Sequence, residues 1–279
     1  SADITSIESR TKFDLTVADV ALIEPKLQGP ATLSGTATRA ANGTVNIDLI
    51  GGAADTLLDV LARINPTQDG QTVAITAVAD VADLRRYAQV SGRDLAGAAK
   101  LDVTLDLLED RQRFTASVSG TTRDLALGIT QVDPLLRGDG TLSAQFSRAG
   151  LDQFILQSLD VATDAAKITA SGQGGLAGAV NLDMAADIPD AAVLDQGLSG
   201  PINATIAVSR DEAENGDVAI RFNGPGTAVS LQGKIAPDLR LTGTLNASVA
   251  ELASYQRLIG QPVSGGFSTR IEGSIMPDL

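Results

Sequence analysis

Residues 101–106 read LDVTLD. Leu101, Val103 and Leu105 alternate with Asp102, Thr104 and Asp106, a period of two rather than the 3.6 of a helix. Successive side chains of an extended chain point to opposite sides, so such a stretch has one apolar and one polar face. The same alternation runs through Phe13-Leu15-Val17, Val45-Ile47-Leu49, Val73-Ile75-Ala77, Phe114-Ala116-Val118 and Leu125-Leu127-Ile129. It continues in Val180-Leu182-Met184, Ile202-Ala204-Ile206-Val208, Val218-Ile220-Phe222, Leu239-Leu241-Gly243-Leu245 and Phe267-Thr269-Ile271. Asn42-Gly43, Asp69-Gly70, Glu109-Asp110-Arg111 and Asn215-Gly216 sit between these runs and read as turns. The pattern predicts an all-β fold with a few short helices and a long, mainly antiparallel sheet.

Composition narrows the chemistry. A chain of 279 residues can bury a sizeable core, and no linker rich in Pro, Gly and Ser divides it. Its apolar residues are aliphatic, with aromatics at 3% and no Trp, which suits a thin, extended core better than a compact one. The formal net charge of −13 argues against nucleic acid as a partner and against docking on anionic lipid headgroups. There is no His and no Cys, which removes the commonest general base, Ser-His-Asp arrangements and the usual zinc and iron–sulfur ligands. No catalytic residue and no cofactor is expected. The carboxylates fall at alternate strand positions or in turns, the pattern of a solvated face. GQGGLAG at 172–178 runs on into the strand-like AVNLDMAAD, so it reads as a hairpin rather than a phosphate loop. GDG at 138–140 lacks the repeated nonapeptides of a calcium roll, and Asn42-Gly43-Thr44 is explained by a turn. No stretch of about 18 apolar residues is present to span a bilayer.

Helical spacing is confined to short pieces. Ala53–Ile64 (AADTLLDVLARI) carries Leu57, Leu58, Leu61 and Ile64 at helical intervals before Pro66, and predicts a helix packed on an end or edge of the sheet. Residues 82–90 and 250–258 predict two more, each with an acidic residue at its start and a glycine after its end. These two belong to matching phrases, VADLRRYAQVSGRDLAG at 81–97 and VAELASYQRLIGQPVSG at 249–265, which hold the only tyrosines, Tyr87 and Tyr255. Each ring is expected to pack its helix on the sheet with the hydroxyl at the rim. A shorter phrase, an apolar residue, a spacer and Gly before a strand, recurs at Gly29, Gly97, Gly138, Gly200 and Gly265. Unequal spacing rules out a strict solenoid. The expectation is one elongated unit over 1–279, built of irregular repeats that start near 17, 81, 125, 191 and 249.

A continuous apolar sheet face must be covered by a second sheet, by curling on itself, by a partner chain or by an apolar ligand. The phrases VADLRRYAQVSGRDLAGAAKLDVTLD at 81–106, FILQSLDVATDAAKITASGQGGL at 154–176 and AVSLQGKIAPDLRLTGTLNASVAEL at 228–252 resemble the TamB family of translocation and assembly module proteins, within the AsmA-like group. The likeness covers most of the chain from about residue 17 and rests on apolar and glycine patterning. It implies a sheet curled lengthwise into a taco-like groove and no catalytic motif. It also implies a periplasmic segment of an inner-membrane-anchored protein of the Gram-negative envelope. The chain, from Ser1 to shortly after FSTRIEG, then reads as a middle fragment, with the anchor elsewhere. The implied partners are phospholipid acyl chains, carried between the two membranes, and a TamA-like Omp85 outer-membrane barrel. The expected groove lining is Val45, Ile47, Leu49, Val73, Ile75, Leu101, Val103, Leu105, Phe114, Val118, Leu182, Met184, Ile206, Val208, Ile220, Leu241 and Leu245. An acyl chain in water costs about 0.8 kcal/mol per exposed CH₂ group, which a continuous apolar surface offsets without directional bonds.

Alternatives remain open from the residues alone. A periplasmic scaffold or chaperone could offer sheet edges to unfolded outer-membrane strands. A surface adhesin or a passive β-solenoid stalk would show a closed, dry core. A carbohydrate-lyase type of enzyme would need its carboxylates to converge in one cleft.

Overall fold

A computed structural model of the chain describes residues 8–22, 24–53, 55–108, 112–150, 153–175 and 179–276. The chain divides into two compact units, Ser1–Leu151 and Asp152–Leu279. The first holds β1 (Ser9–Val17), β2 (Ala31–Arg39), β3 (Val45–Ala53), β4 (Thr56–Pro66), β5 (Gln71–Val81), β6 (Leu95–Leu107), β7 (Phe114–Leu127) and β8 (Asp139–Arg148). The second holds β9 (Gln153–Thr163), β10 (Lys167–Gly175), β11 (Val180–Ile188), β12 (Ile202–Arg210), β13 (Gly216–Gly224), β14 (Thr227–Ile235), β15 (Leu241–Val249) and β16 (Phe267–Ile275). Within each unit the strands pair antiparallel in chain order, and the sheet is open rather than closed into a barrel. The fold is all-β with short helical turns.

Register turns the period of two into continuous rows. In the first unit Ile47, Ala62, Ile75, Leu105 and Ala116 stand side by side across β3 to β7. In the second, Met184, Ile206, Ile220, Leu231, Leu245 and Ile271 do the same across β11 to β16. Directly opposed side chains share a face, so these rows define an inward apolar face. The outward rows are polar, as in Asp183, Ala207, Ala219, Gln232, Thr244 and Glu272. Along β3 and β15 the inward residues are half-buried while most outward ones are exposed. Among the described residues no second layer lies over it, and the inward face owes that shading to the curl of each sheet.

Glycine marks where neighbouring strands come closest. A Cβ on Gly35 would fall on the Asp48 carbonyl oxygen, with Leu49 Cδ2 at 2.8 Å and the Phe13 ring at 2.9 Å. A Cβ on Gly120 would fall on the Lys100 carbonyl oxygen. Both glycines lie in inward rows, between larger neighbours that lean across them.

Three expectations are corrected. Residues 56–66 form strand β4, paired on both sides, not a helix. Leu58, Val60, Ala62 and Ile64 satisfy a period of two while Leu57, Leu58, Leu61 and Ile64 mimic a helical stripe, and pairing on both edges stabilises the extended form where a helix this short is marginal without packing. Pro66 is tolerated because it closes the strand. Ile129 lies beyond β7, in the connection that begins at Gly128. Leu239 sits in the turn before β15, with φ 62°. The hairpins at Asn42-Gly43 and Asp69-Gly70 are present. At Asn215-Gly216 the left-handed residue is Glu214, φ 66°, and Gly216 opens β13. The Glu109-Asp110-Arg111 turn and residues 176–178 of the glycine-rich stretch lie outside the described residues; β10 and β11 flank the latter as an antiparallel pair.

The close approach at Gly120 gives a direct test of the curl. Gly120→Val is expected to cost about 1–3 kcal/mol of stability through overpacking against backbone. The outward neighbour change Ser119→Val is expected to stay within about 0.5 kcal/mol. Equal shifts of the urea midpoint for both variants would contradict the assignment of faces.

Candidate functional site

All seventeen residues expected to line a groove lie on the inward face of their unit. Val45, Val73 and Phe114 share one row, Ile47, Ile75 and Leu105 the next, and Leu49, Val103 and Val118 a third, with Leu101 beyond them. In the second unit Leu182 and Val208 share a row, Met184, Ile206, Ile220 and Leu245 share the next, and Leu241 stands in the terminal row. The same rows contain residues that alternation in the sequence did not single out. Leu58 and Val60 were hidden in the apparent helix. Val229 and Leu231 in β14 alternate plainly and could have been found by the same rule. In β9 the register shifts by one residue, opposite Ala170 and Gly172, so Phe154 and Leu156 fall out of phase with Leu159 and Val161. A bulge of this kind hides a strand from a strict period of two.

The inward face is apolar, uncharged and uncovered. Its interior rows hold aliphatics, Phe, Met, Ala, Gly and a few Thr, and no ionisable residue. Large side chains remain accessible on it: Met184 is 38% exposed, Phe146 39% and Leu58 41%. Phe114 and Phe146 meet edge to face with ring centroids 5.9 Å apart, so even the aromatic pair lies within the sheet's own face. Charge enters only in the terminal row, where Arg39, Arg148 and Arg210 stand at strand ends. Arg210 pairs with Glu214 at 3.0 Å and Arg148 Nε donates to the Gly150 carbonyl at 2.8 Å. A shallow hollow bordered by Arg221, Ser230, Asn246 and Arg270 is open to solvent. Among the described residues no three or more Asp, Glu, His or Cys side chains gather at metal-binding spacing.

The repeated phrases build one rim of each sheet. In an antiparallel meander every odd-to-even connection falls at the same end. In the first unit the long ones are 18–30, 82–94 and 128–138, and in the second 189–201 and 250–266. The glycines of the short phrase all have positive φ: 110° at Gly29, 92° at Gly97, 83° at Gly138, 104° at Gly200 and 83° at Gly265. That region costs an L side chain energy, which is why glycine recurs there. Gly97 sits within β6, at its register shift. The other four precede strands. Buried side chains collect beneath these connections, among them Val20, Leu136, Ala191, Leu198 and Ile202.

The two tyrosine phrases fold alike. A 3₁₀ turn (Leu84–Tyr87) leads into α1 (Ala88–Ser91), and another (Leu252–Tyr255) into α2 (Gln256–Ile259). Asp83 accepts from Arg85 N–H at 3.0 Å and Glu251 from Ala253 N–H at 3.1 Å, capping each start. Gly92 and Gly260 end the helices with φ 68° and 72°. Each helix leans over the tight turn beside it. The Tyr87 hydroxyl shares a 2.5 Å hydrogen bond with Thr56 Oγ1 and reaches the Ala53 carbonyl. The Tyr255 hydroxyl accepts from Thr227 Oγ1 at 2.7 Å and donates to the Pro225 carbonyl at 2.6 Å. Each such bond is worth about 1 kcal/mol. The helices are clasps on the rim.

No protein-family model, no curated protein and no solved structure matches this chain.

Rim loops 18–30 and 189–201 share one further device. Asp19 Oδ1 accepts from the N–H groups of Ala21 and Gly29, both at 3.0 Å, and Asp190 Oδ1 from those of Ala192 and Gly200, both at 3.1 Å. The Ala21 N–H first, then that of Gly29, holds the Asp19 carboxyl below its ordinary 3.8. A group lowered in the fold stabilises it above the unfolded value and loses that contribution as pH falls through the folded one. The Ala21 and Gly29 amide resonances are therefore expected to titrate together, with a midpoint below 3.8. Asp19→Asn should abolish the step. A midpoint at or above 3.8 would contradict the double acceptor.

Proposed function

We propose that the inward face of each unit holds phospholipid acyl chains, and that the chain belongs to a non-enzymatic, TamB-like lipid-transport protein of the bacterial envelope. The observation that carries this reading is the uncharged inward face, one layer deep, with Met184, Phe146 and Leu58 left accessible. A dry two-sheet core would have a second layer against those side chains. An acyl chain needs continuous apolar contact and no fixed hydrogen bonds, because tethering would stop it sliding. Aliphatic rows supply such contact, at about 0.8 kcal/mol per CH₂ removed from water. The terminal-row arginines stand where the apolar face ends, a position suited to an anionic head group.

The periplasm is the compartment this reading requires, and an Omp85-type outer-membrane barrel is the partner that the family resemblance implies. Both belong to the proposal. The total absence of Cys and His leaves the chain without thiol or imidazole chemistry to perform there.

Two measurements test it. The chain purified from bacterial membranes and extracted with organic solvent is expected to release phospholipid. Photo-crosslinking residues at Val103 and Ile206 are expected to capture lipid, and residues at the outward Asp102 and Ala207 are not. No lipid in either experiment would sink the reading. Capture of nascent outer-membrane strands in place of lipid would assign the face to protein assembly instead.

A further inference from the structure

The outward face of the first unit breaks its own polar rule at one place. Ile50, Leu57 and Leu61 point away from the inward rows and are 57%, 67% and 53% exposed. Val78 stands on the same face. The outward positions of β11 to β16, by contrast, carry no large aliphatic residue. The four side chains surround one carboxylate. Asp59 lies directly between Ile50 and Val78 on the neighbouring strands, and Leu57 and Leu61 flank it two positions away along β4. Asp48 stands opposite Leu61 and Asp80 opposite Leu57. Among the described residues Asp48, Asp59 and Asp80 make no ion pair.

Size and charge together select the occupant. From Leu57 to Leu61 is about 13 Å along the strand, and from Ile50 to Val78 about 10 Å across two strand spacings. An α-helix with its side chains is about 10 Å wide and covers 13 Å in roughly nine residues. A docked apolar surface would bury Asp59, and an unpaired buried carboxylate is expensive, so the partner must bring a cation to the centre of its apolar stripe. Lys100 opposite Asp80 and Arg63 beyond Leu61 stand at the edge of the patch, and a second copy meeting it through a two-fold axis at the patch centre would set Asp59 against itself. An anionic membrane surface is repelled for the same reason. We infer that β3 to β5 of the first unit present a docking site for a basic amphipathic helix of another protein, whose Lys or Arg meets Asp59. The site is on the opposite face from the lipid rows, so both can be occupied at once.

The test uses the whole chain and a labelled 18-residue amphipathic helix of Leu and Lys, with a twin in which Glu replaces Lys. Fluorescence anisotropy is expected to show binding of the Lys peptide and none of the Glu peptide. The double variant Leu57→Gln, Leu61→Gln should weaken binding at least tenfold, and Asp59→Asn about fivefold. Asp183→Asn removes the same charge from the outward face of the second unit and should change nothing. If the double variant fails to fold, Ile50→Gln gives the same comparison. Equal binding of the two peptides, indifference to the outward leucines, or equal losses from Asp59→Asn and Asp183→Asn would each overturn the inference.

Discussion

A sheet one layer thick cannot cover its own apolar face. Everything distinctive in this chain follows from that constraint. Each inward row is a line of mostly aliphatic side chains whose neighbours, among the described residues, lie on the same face. Curling shades them part of the way, and the side chains must then be small enough to fit the inside of the bend. Ala, Val, Leu and Ile suit that space, and Phe fits where a small residue stands opposite, as Phe13 does beside Gly35 and Phe146 beside Ala116. The same limit explains glycine at the inward positions 35 and 120, where a Cβ would meet backbone of the adjacent strand.

Stability must therefore come from pairing and from the rims. Each strand is nine or more residues long and pairs with its neighbours in the unit along seven or more of them, and such ladders are cooperative along the sheet. Many of the dry sites are at the rim, beneath the long connections, where Ala191 is wholly buried and Leu136, Leu198 and Ile202 nearly so. Tyr87 and Tyr255 serve the same end. A hydroxyl from each reaches back some thirty residues to a neighbouring tight turn and joins connections that the chain order separates. The two tyrosine phrases are alike because they solve one geometric problem twice.

Most of the fold was legible because a period of two is a strong signal when the opposite face is polar. Leu101-Val103-Leu105 and Ile206-Val208 could be placed on a common face from spacing alone. Reading failed where that contrast vanished. Residues 56–66 carry Leu57 and Leu61 on the outward face as well as aliphatics on the inward one, so Leu57, Leu58, Leu61 and Ile64 mimicked a helical stripe. The same ambiguity flags the outward patch, because outward leucines give the strand a second apolar surface to cover. β9 escaped notice for a different reason, since its bulge shifts the alternation by one residue. Rim geometry was partly visible: the five phrase glycines marked positive φ, but the partners of the tyrosine hydroxyls could not be read, because nothing local specifies a contact thirty residues away. The occupant of the inward face was outside the reach of spacing altogether. It rests on the shape and chemistry of the rows.

The central claim is that acyl chains lie against the inward rows, and the lack of Trp in the chain makes it directly measurable. Single tryptophans introduced by Val103→Trp and Thr104→Trp would stand on opposite faces of β6, one residue apart. With phospholipid brominated along its acyl chains, the account predicts strong fluorescence quenching at position 103 and little at position 104. Equal quenching at the two positions, or none at 103, would contradict it.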